Sequence, residues 1–205
     1  MTTTKRIAII ASTLIIALCA LGCIVSFQLF WNGCLWWECA PARYFDVLDL
    51  ELPRRLFPEQ ANYNSIYLDD DDDLETLRSS GQTIYWDNGN GLAIYIVDKY
   101  ASNKNASRNF ERTQKSFFSA HTDFVSPIPW STPGELTYIS PLADEFFLAC
   151  GMVLTKDDYR CGVIARYQEF VLFFNATISE MMSYDDFQKI VIFMDEQISN
   201  HFYQK

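Results

Sequence analysis

A run of carboxylates is the sequence feature with the clearest capacity for chemistry. Asp69–Asp73 are consecutive and Glu75 follows two residues later. Clustered carboxylate oxygens suit Ca²⁺, and the candidate ligands are Asp69, Asp71, Asp73 and Glu75. An EF-hand loop starting at Asp69 needs glycine at its sixth place and glutamate at its twelfth, where this chain has Leu74 and Ser80. We therefore predict a solvated acidic loop, with weak Ca²⁺ binding as the alternative and no other cofactor.

A Ser-His-Asp or Cys-His mechanism would have to use one of two histidines, His121 or His201. His121 lies near Ser119 and Asp123, but catalytic triads are assembled from distant segments, and the GxSxG elbow is missing. His201 falls beside an apolar stripe and is predicted to be a rim residue. The glycine-rich motifs that cradle phosphates are also missing. The sequence therefore predicts that the protein is not an enzyme.

Four cysteines form two sequence-local pairs, and the simplest pairing is Cys34–Cys39 and Cys150–Cys161. Four cysteines allow three connectivities. A zinc site is disfavoured because CxxC spacing is missing and no histidine lies near either pair. Disulfides would indicate an oxidising compartment. Cys19 and Cys23 lie in a hydrophobic run and are predicted to be packing residues.

The hydrophobic run, Ile7–Trp31, has twenty-five residues without a charge. It is long enough to cross about 30 Å of hydrocarbon with some tilt. Lys5 and Arg6 precede it, so the positive-inside tendency places residues 1–6 in the cytoplasm and the remainder outside. An interfacial aromatic belt is expected at Trp31, Trp36 and Trp37. Residues 7–31 are thus predicted to be a transmembrane anchor in the lipid bilayer of the cell membrane.

Two processing alternatives compete with a permanent anchor. Ala20–Cys23 resembles a lipoprotein signal site, in which Cys23 would be acylated, although the apolar run continues beyond it. Cleavage near Ala40 would release the domain, but the hydrophobic region would then be longer than that of a usual signal peptide.

The rest of the chain is acidic and of single-domain size. Lys5 and Arg6 precede the hydrophobic run, which leaves 14 basic residues against 26 acidic ones after it, a net charge of −12. Phosphate binding requires local cationic density, so nucleic acid is excluded as a partner. The same charge argues against a domain that lies flat on anionic lipid.

Sequence patterns place an α+β domain at residues 82–205, behind an irregular juxtamembrane linker at 32–81 that is expected to pack partly on the domain. Strand-like runs at 83–86 and 92–97 flank Asp87–Gly91, whose Asn-Gly steps favour a hairpin. An amphipathic helix is predicted at 105–118 and a long proline-rich loop at 122–141. Three strands at 145–154, 160–167 and 170–176 should form an antiparallel meander, followed by a helix whose capping box pairs Ser183 with Asp186. We therefore expect an antiparallel β-sheet packed with two α-helices.

This order, with a hairpin leading through Val97–Ser102 into a helix and a terminal helix behind a meander, resembles the PsbP-like α/β/α sandwich over about residues 80–205. The resemblance implies an extracytoplasmic accessory or binding module attached to a larger membrane assembly. It carries over no functional residue.

Function is predicted as a non-enzymatic, membrane-anchored accessory or interaction protein, with a membrane protein as partner. Trp130 and its proline-rich loop are the expected contact surface. The alternative is an extracytoplasmic module that binds a small ligand or Ca²⁺. Glycosylation sequons occur at Asn105 and Asn175, and their use is left open.

Overall fold

The computed structural model describes residues 3–32, 34–69, 76–119, 129–153 and 158–203. The strands are β1 (Asn62–Asp69), β2 (Thr76–Trp86), β3 (Gly91–Tyr100), β4 (Glu145–Val153), β5 (Asp158–Tyr167) and β6 (Phe170–Thr177). They form one six-stranded sheet in the order β1-β2-β3-β6-β5-β4, and every neighbouring pair is antiparallel. The predicted meander is therefore confirmed, and β6 returns to pair with β3.

Three α-helices accompany the sheet: α1 (Thr3–Asn32), α2 (Asn103–Phe118) and α3 (Tyr184–Tyr203). Short 3-10 helices cover Val47–Leu50, Arg54–Leu56 and Asp87–Gly89. Within the described residues, no helix meets both the length and the hydropathy that a bilayer crossing requires.

Helices α2 and α3 pack on opposite faces of the sheet. An antiparallel sheet with helices that are separate from its strands is the predicted α+β fold. On the α3 face, buried Phe187, Ile190 and Met194 join strand residues such as Phe174 and Val163 in the larger core. On the α2 face, Phe110 and Phe118 join a smaller core around Phe173. Alternating side chains of the same strands feed the two cores, because successive residues of a strand point to opposite faces.

Local sequence signals set the helix starts and the first hairpin. The Ser102 hydroxyl accepts a hydrogen bond from the Asn105 amide at 3.2 Å and caps α2. Ser183 and Asp186 form the predicted capping box, since each backbone amide donates to the other side chain. The β2–β3 turn holds Asp87, Asn88 and Gly89 at φ 50°, 52° and 92°, which asparagine and glycine tolerate best.

The prediction of a linker at 32–81 is wrong in its second half. Strand β1 and most of β2 lie within this range, and they form one edge of the sheet. The segment before β1 contributes buried side chains to the larger core: Phe45, Val47, Leu50, Leu52 and Phe57. Strand β1 was missed because residues 62–68 show no clear alternation of apolar and polar side chains.

An ion pair fastens the start of this segment to the domain. The Arg43 guanidinium donates to Glu169, which is fully buried, with Nε 2.7 Å from Oε1. Arg43 also lies over the Phe202 ring, 4.4 Å from its centroid. Residue 43 is therefore tied both to the β5–β6 turn and to the end of α3.

Candidate interaction surface

The two edge strands of the sheet, β4 and β1, differ in the hydrogen-bond pairing of their outer backbone groups. Strand β4 is bonded at residues 148–150 to the segment before it, because Ser131 forms a two-way backbone bridge with Cys150 and Thr132 donates its hydroxyl to the Leu148 carbonyl at 2.7 Å. Strand β1 has only β2 as a hydrogen-bonded strand neighbour among the described residues. Its outer edge therefore presents backbone donors and acceptors to a further strand.

The first seven residues of β1 lack the devices that usually protect an edge strand. Residues 62–68 read NYNSIYL, with no charge, proline or glycine, and the strand then ends in Asp69 at the start of the acidic run. Its register with β2 is continuous from Asn62 to Asp69, so no bulge twists the edge away. Natural edges are commonly blocked by a lysine, a proline or a bulge. This edge is open to pairing.

The sheet face next to this edge is open as well. Helix α2 packs on the β4–β6 side of the face, and its aromatic residues contact Phe147 and Phe173 at ring-centroid distances of 5.1 and 4.7 Å. On the β1–β3 side, Ile66 is 54% exposed. The register aligns Ile66, Gly81 and Ile96 across three strands, and the missing side chain of Gly81 leaves a dent between two isoleucines.

That dent is a shallow groove of about 230 Å³, lined chiefly by Ile66, Gly81, Thr83, Ile94 and Ile96. We call the outer edge of β1 together with this groove the β1 surface. A strand added to the edge would place alternate side chains over the sheet face beside the groove. The β1 surface can therefore supply both backbone pairing and an apolar contact.

The inner face of β1 is held firmly. The Tyr63 hydroxyl donates to the Arg54 carbonyl at 3.1 Å, and the Arg54 guanidinium lies 5.0 Å from the Tyr63 ring centroid. Burial raises the pKa of Tyr63 to about 12, against the opposing effect of the Arg54 charge. Tyr63 therefore stays a neutral donor at neutral pH, and β1 is preorganised.

Both predicted disulfides are present. Cys34 and Cys39 close a short turn after α1, with their Cα atoms 5.2 Å apart. Cys150 and Cys161 face one another in the β4–β5 register and are bonded. Cys19 and Cys23 are free thiols in α1 and are exposed. Two disulfides are compatible with an extracytoplasmic domain.

Most of the other predicted site residues lie outside the part of the chain that the structure describes. Asp71, Asp73 and Glu75 lie outside the described residues, as does the side chain of Asp69. His121 is also outside them, whereas His201 stacks on Phe45 at 4.9 Å between ring centroids. Among the described residues, no group of three or more histidine, cysteine, aspartate or glutamate side chains is placed to hold a metal ion.

Both sequons are buried in the folded chain. Asn105 lies in the first turn of α2 and is 7% exposed, and Asn175 lies in the middle of β6 and is fully buried. An oligosaccharide cannot be accommodated at either position of the folded domain.

Trp130 is not a contact residue, contrary to the prediction. It is 6% exposed, and its ring lies against Gly151 and Gly162 on the α2 face of the sheet. Because neither glycine has a side chain, the indole packs directly on the strand backbone at these two positions. The sequence could not reveal this position, because the glycines lie on separate strands that are brought together only by the β4–β5 register.

A buried carboxylate on α3 is a structural centre. Asp195 is 1% exposed and accepts hydrogen bonds from Tyr138 at 2.5 Å, Ser140 at 2.6 Å and Tyr167 at 2.5 Å. Burial, the Asp195 charge and these hydrogen bonds raise the pKa of both tyrosines. Because three hydroxyls satisfy the carboxylate and water is excluded, the cluster joins α3, β5 and the loop before β4.

Comparison with known protein families finds no family model that matches the chain, and comparison with curated proteins finds no match. The β1 surface therefore has to be interpreted from its own geometry.

Proposed function

We propose that this protein is a membrane-anchored accessory subunit whose extracytoplasmic domain binds an extended segment of a partner membrane protein at the β1 surface. One observation carries the proposal: residues 148–150 of the β4 edge are bonded to the preceding segment, whereas the β1 edge, bulge-free and uncharged over residues 62–68, adjoins an apolar groove. An added strand gains affinity from backbone hydrogen bonds and specificity from alternate side chains.

The chemistry of the β1 surface defines the segment that fits it. The uncharged residues 62–68 and the isoleucine-lined groove favour an uncharged partner strand with β-branched or aromatic side chains at alternate positions. A charged side chain over the groove would lose hydration without gaining an ion partner there.

The anchor is inferred from the sequence of residues 7–31, with residues 1–6 in the cytoplasm and the domain outside. In α1, the structure describes the side chains at position 10 and at positions 12–28. Large apolar side chains among them are well exposed, and the exposed fraction of both Ile10 and Ile16 is 67%. Such a row of exposed apolar side chains is costly in water and favourable in lipid. An accessory role is also what the resemblance to the PsbP-like sandwich implies.

Site-specific photo-crosslinking tests the proposed docking. A photoreactive phenylalanine analogue is introduced at Asn64, an exposed β1 residue, and in a second variant at Ile139, which is 77% exposed on the loop before β4. We expect irradiation of native membranes to yield one discrete adduct from position 64 and none of that mass from position 139. Equal adducts at the two positions, or none at position 64, would refute docking at the β1 surface.

A further inference from the structure

Two exposed tryptophans lie in a short disulfide loop directly after α1. Trp36 and Trp37 are 57% and 73% exposed, whereas the other two tryptophans with described side chains, Trp86 and Trp130, are buried. Tryptophan is large and mostly apolar, so two neighbouring indoles in water are costly through the hydrophobic effect. The exposed pair therefore marks an interaction surface.

The loop that carries the pair, residues 34–39, is closed by three bonds. A disulfide joins Cys34 to Cys39, and the backbone amides of Glu38 and Cys39 both donate to the Leu35 carbonyl, at 2.7 and 3.0 Å. These bonds hold the backbone between the two cysteines in a tight turn. The indoles are therefore presented by a fixed backbone.

The same loop is bonded to the domain. Cys39 forms an antiparallel bridge with Ser102, and the Ala40 amide donates to the Ala101 carbonyl at 2.8 Å. Residues 101–102 join the end of β3 to the start of α2, and both are buried. A surface that binds the indoles is therefore coupled to the orientation of the sheet.

The position of the loop selects the lipid headgroup region as the surface that it contacts. A hydrocarbon core of about 30 Å takes about 20 helical residues, so the end of the 25-residue run Ile7–Trp31 already reaches the headgroups. Cys34 follows three residues later. Indoles favour this region because their rings are apolar and their N–H groups can donate to headgroup oxygens. Glu38 is exposed in the same loop and limits the depth of insertion, because a carboxylate is costly in hydrocarbon.

We propose that residues 34–39 form a membrane-docking loop, in which Trp36 and Trp37 insert among the lipid headgroups and set the orientation of the domain on the bilayer. The start of α2 then lies at the membrane surface. The β2–β3 turn lies at the other end of the ten-residue strand β3, about 30 Å away. It points away from the bilayer, because an acidic domain is not drawn down flat onto lipid. The inference rests on the proposed anchor at residues 7–31 and is independent of docking at the β1 surface.

The test follows single tryptophans in the full chain. The protein is labelled with fluorotryptophan and reconstituted in phosphatidylcholine vesicles, and flotation with the vesicles first establishes whether the chain is anchored. Fluorine NMR in phosphatidylcholine nanodiscs then compares two paramagnetic probes, a lipid with a nitroxide near its headgroup and a water-soluble gadolinium chelate. Trp36→Phe and Trp37→Phe assign the two loop resonances, and Trp86 and Trp130 are internal controls because both are buried.

We expect the nitroxide lipid to broaden the Trp36 and Trp37 resonances beyond detection and to leave those of Trp86 and Trp130 sharp. The soluble chelate should broaden the two loop resonances far less. For the orientation, trifluoromethylphenylalanine replaces Lys104 in the first turn of α2 or Asn90 in the β2–β3 turn, both of which are exposed. The nitroxide lipid should broaden the signal at position 104 and leave that at position 90 sharp.

The possible failures are distinguishable. A protein that floats with the vesicles, but whose Trp36 and Trp37 signals respond to the soluble chelate alone, would overturn the docking loop and leave the anchor standing. A protein that does not float would contradict the anchor and the docking loop together. Shielding of the loop signals from both probes would assign the loop to a contact between two copies of the chain instead, and equal broadening at positions 104 and 90 would refute the orientation.

Discussion

At the scale of single residues, the α2-side core depends on a glycine that no local pattern marks as important. A Cβ on Gly151 would collide with the Trp130 indole, whereas Gly134 has no heavy atom within 4 Å of the corresponding position. Trp130 can therefore be buried at this position only because residue 151 is a glycine. The sequence, which gives only isolated glycines and a tryptophan in a proline-rich loop, predicted the opposite exposure.

Gly151→Ala should therefore destabilise the domain, and Gly134→Ala should not. Overpacking a core by one methyl group with nearby ring atoms costs about 1–3 kcal/mol. Urea unfolding followed by circular dichroism gives the free energy of unfolding of each variant. Similar values for Gly151→Ala and Gly134→Ala would contradict the described position of Trp130.

Asp195 is the second residue whose role is visible only in the fold. Asp195→Asn replaces a carboxylate that accepts from three hydroxyls by an amide with one acceptor oxygen. We expect a loss of about 2–3 kcal/mol, because hydrogen bonds to a charged acceptor are weakened and a buried hydroxyl is left unpaired. The exposed neighbour Glu196 supplies the control, since Glu196→Gln should stay within about 0.5 kcal/mol of the parent. A near-neutral Asp195→Asn would show that the cluster is not a structural centre.

At the scale of elements, the sequence predicted most of the strands and helices that have a clear hydrophobic period or a turn or capping motif. Strands β4–β6, helix α2, the Asn-Gly hairpin and the capped start of α3 agree with the structure within a few residues. Strand β1 was missed because one of its faces and its outer edge are open, so its residues 62–68 show no clear apolar alternation. The pairing of β3 with β6 joins residues about eighty positions apart, and no local pattern encodes it.

The capping box of α3 predicts a pH dependence of stability. Hydrogen bonds from Lys189 and from Ser183 lower the pKa of Asp186 in the folded state. A lowered folded-state pKa means that this stabilisation is present above the unfolded pKa of about 3.9 and is lost as the pH falls through the folded value. Asp186→Ala should therefore lower the Tm at pH 7 and converge on the parent Tm at pH values below the folded pKa.

Asp185→Ala is the matched control for that measurement. Asp185 is an exposed carboxylate in the same first turn, so it shares the helix-dipole effect but not the capping box. If the two variants show the same Tm profile from pH 2 to pH 7, the capping box does not contribute.

At the scale of the whole molecule, the proposed anchor would place the domain and the N-terminus on opposite sides of a membrane. In sealed right-side-out membranes, external protease should digest a C-terminal tag and leave an N-terminal tag intact, because Lys5 and Arg6 favour the cytoplasmic side. Protection of both tags, or release of the protein by alkaline carbonate washing, would contradict an uncleaved anchor in this orientation.

The charge distribution also bears on the partner. A chain of net charge −10 repels acidic surfaces, so contact through the uncharged residues 62–68 limits the electrostatic cost of association. On the β1 surface, the uncharged residues 62–68, the exposed Ile66 and an outer edge without a second strand neighbour among the described residues occur together. A single exposed side chain on it, Ile66, can be changed without altering a core.

The most direct test is therefore capture from native membranes of three proteins that differ at one position. The parent, Ile66→Lys and the control Ile139→Lys are extracted in mild detergent, captured through a C-terminal tag and analysed by quantitative mass spectrometry. Ile66 and Ile139 are both exposed isoleucines, at 54% and 77%, so the two variants share the added charge and keep the core. We predict that the parent and Ile139→Lys retain the same membrane protein in fixed proportion and that Ile66→Lys retains at least tenfold less of it. Equal recovery with all three proteins would contradict binding at the β1 surface, and recovery of the parent chain alone would contradict the accessory-subunit role.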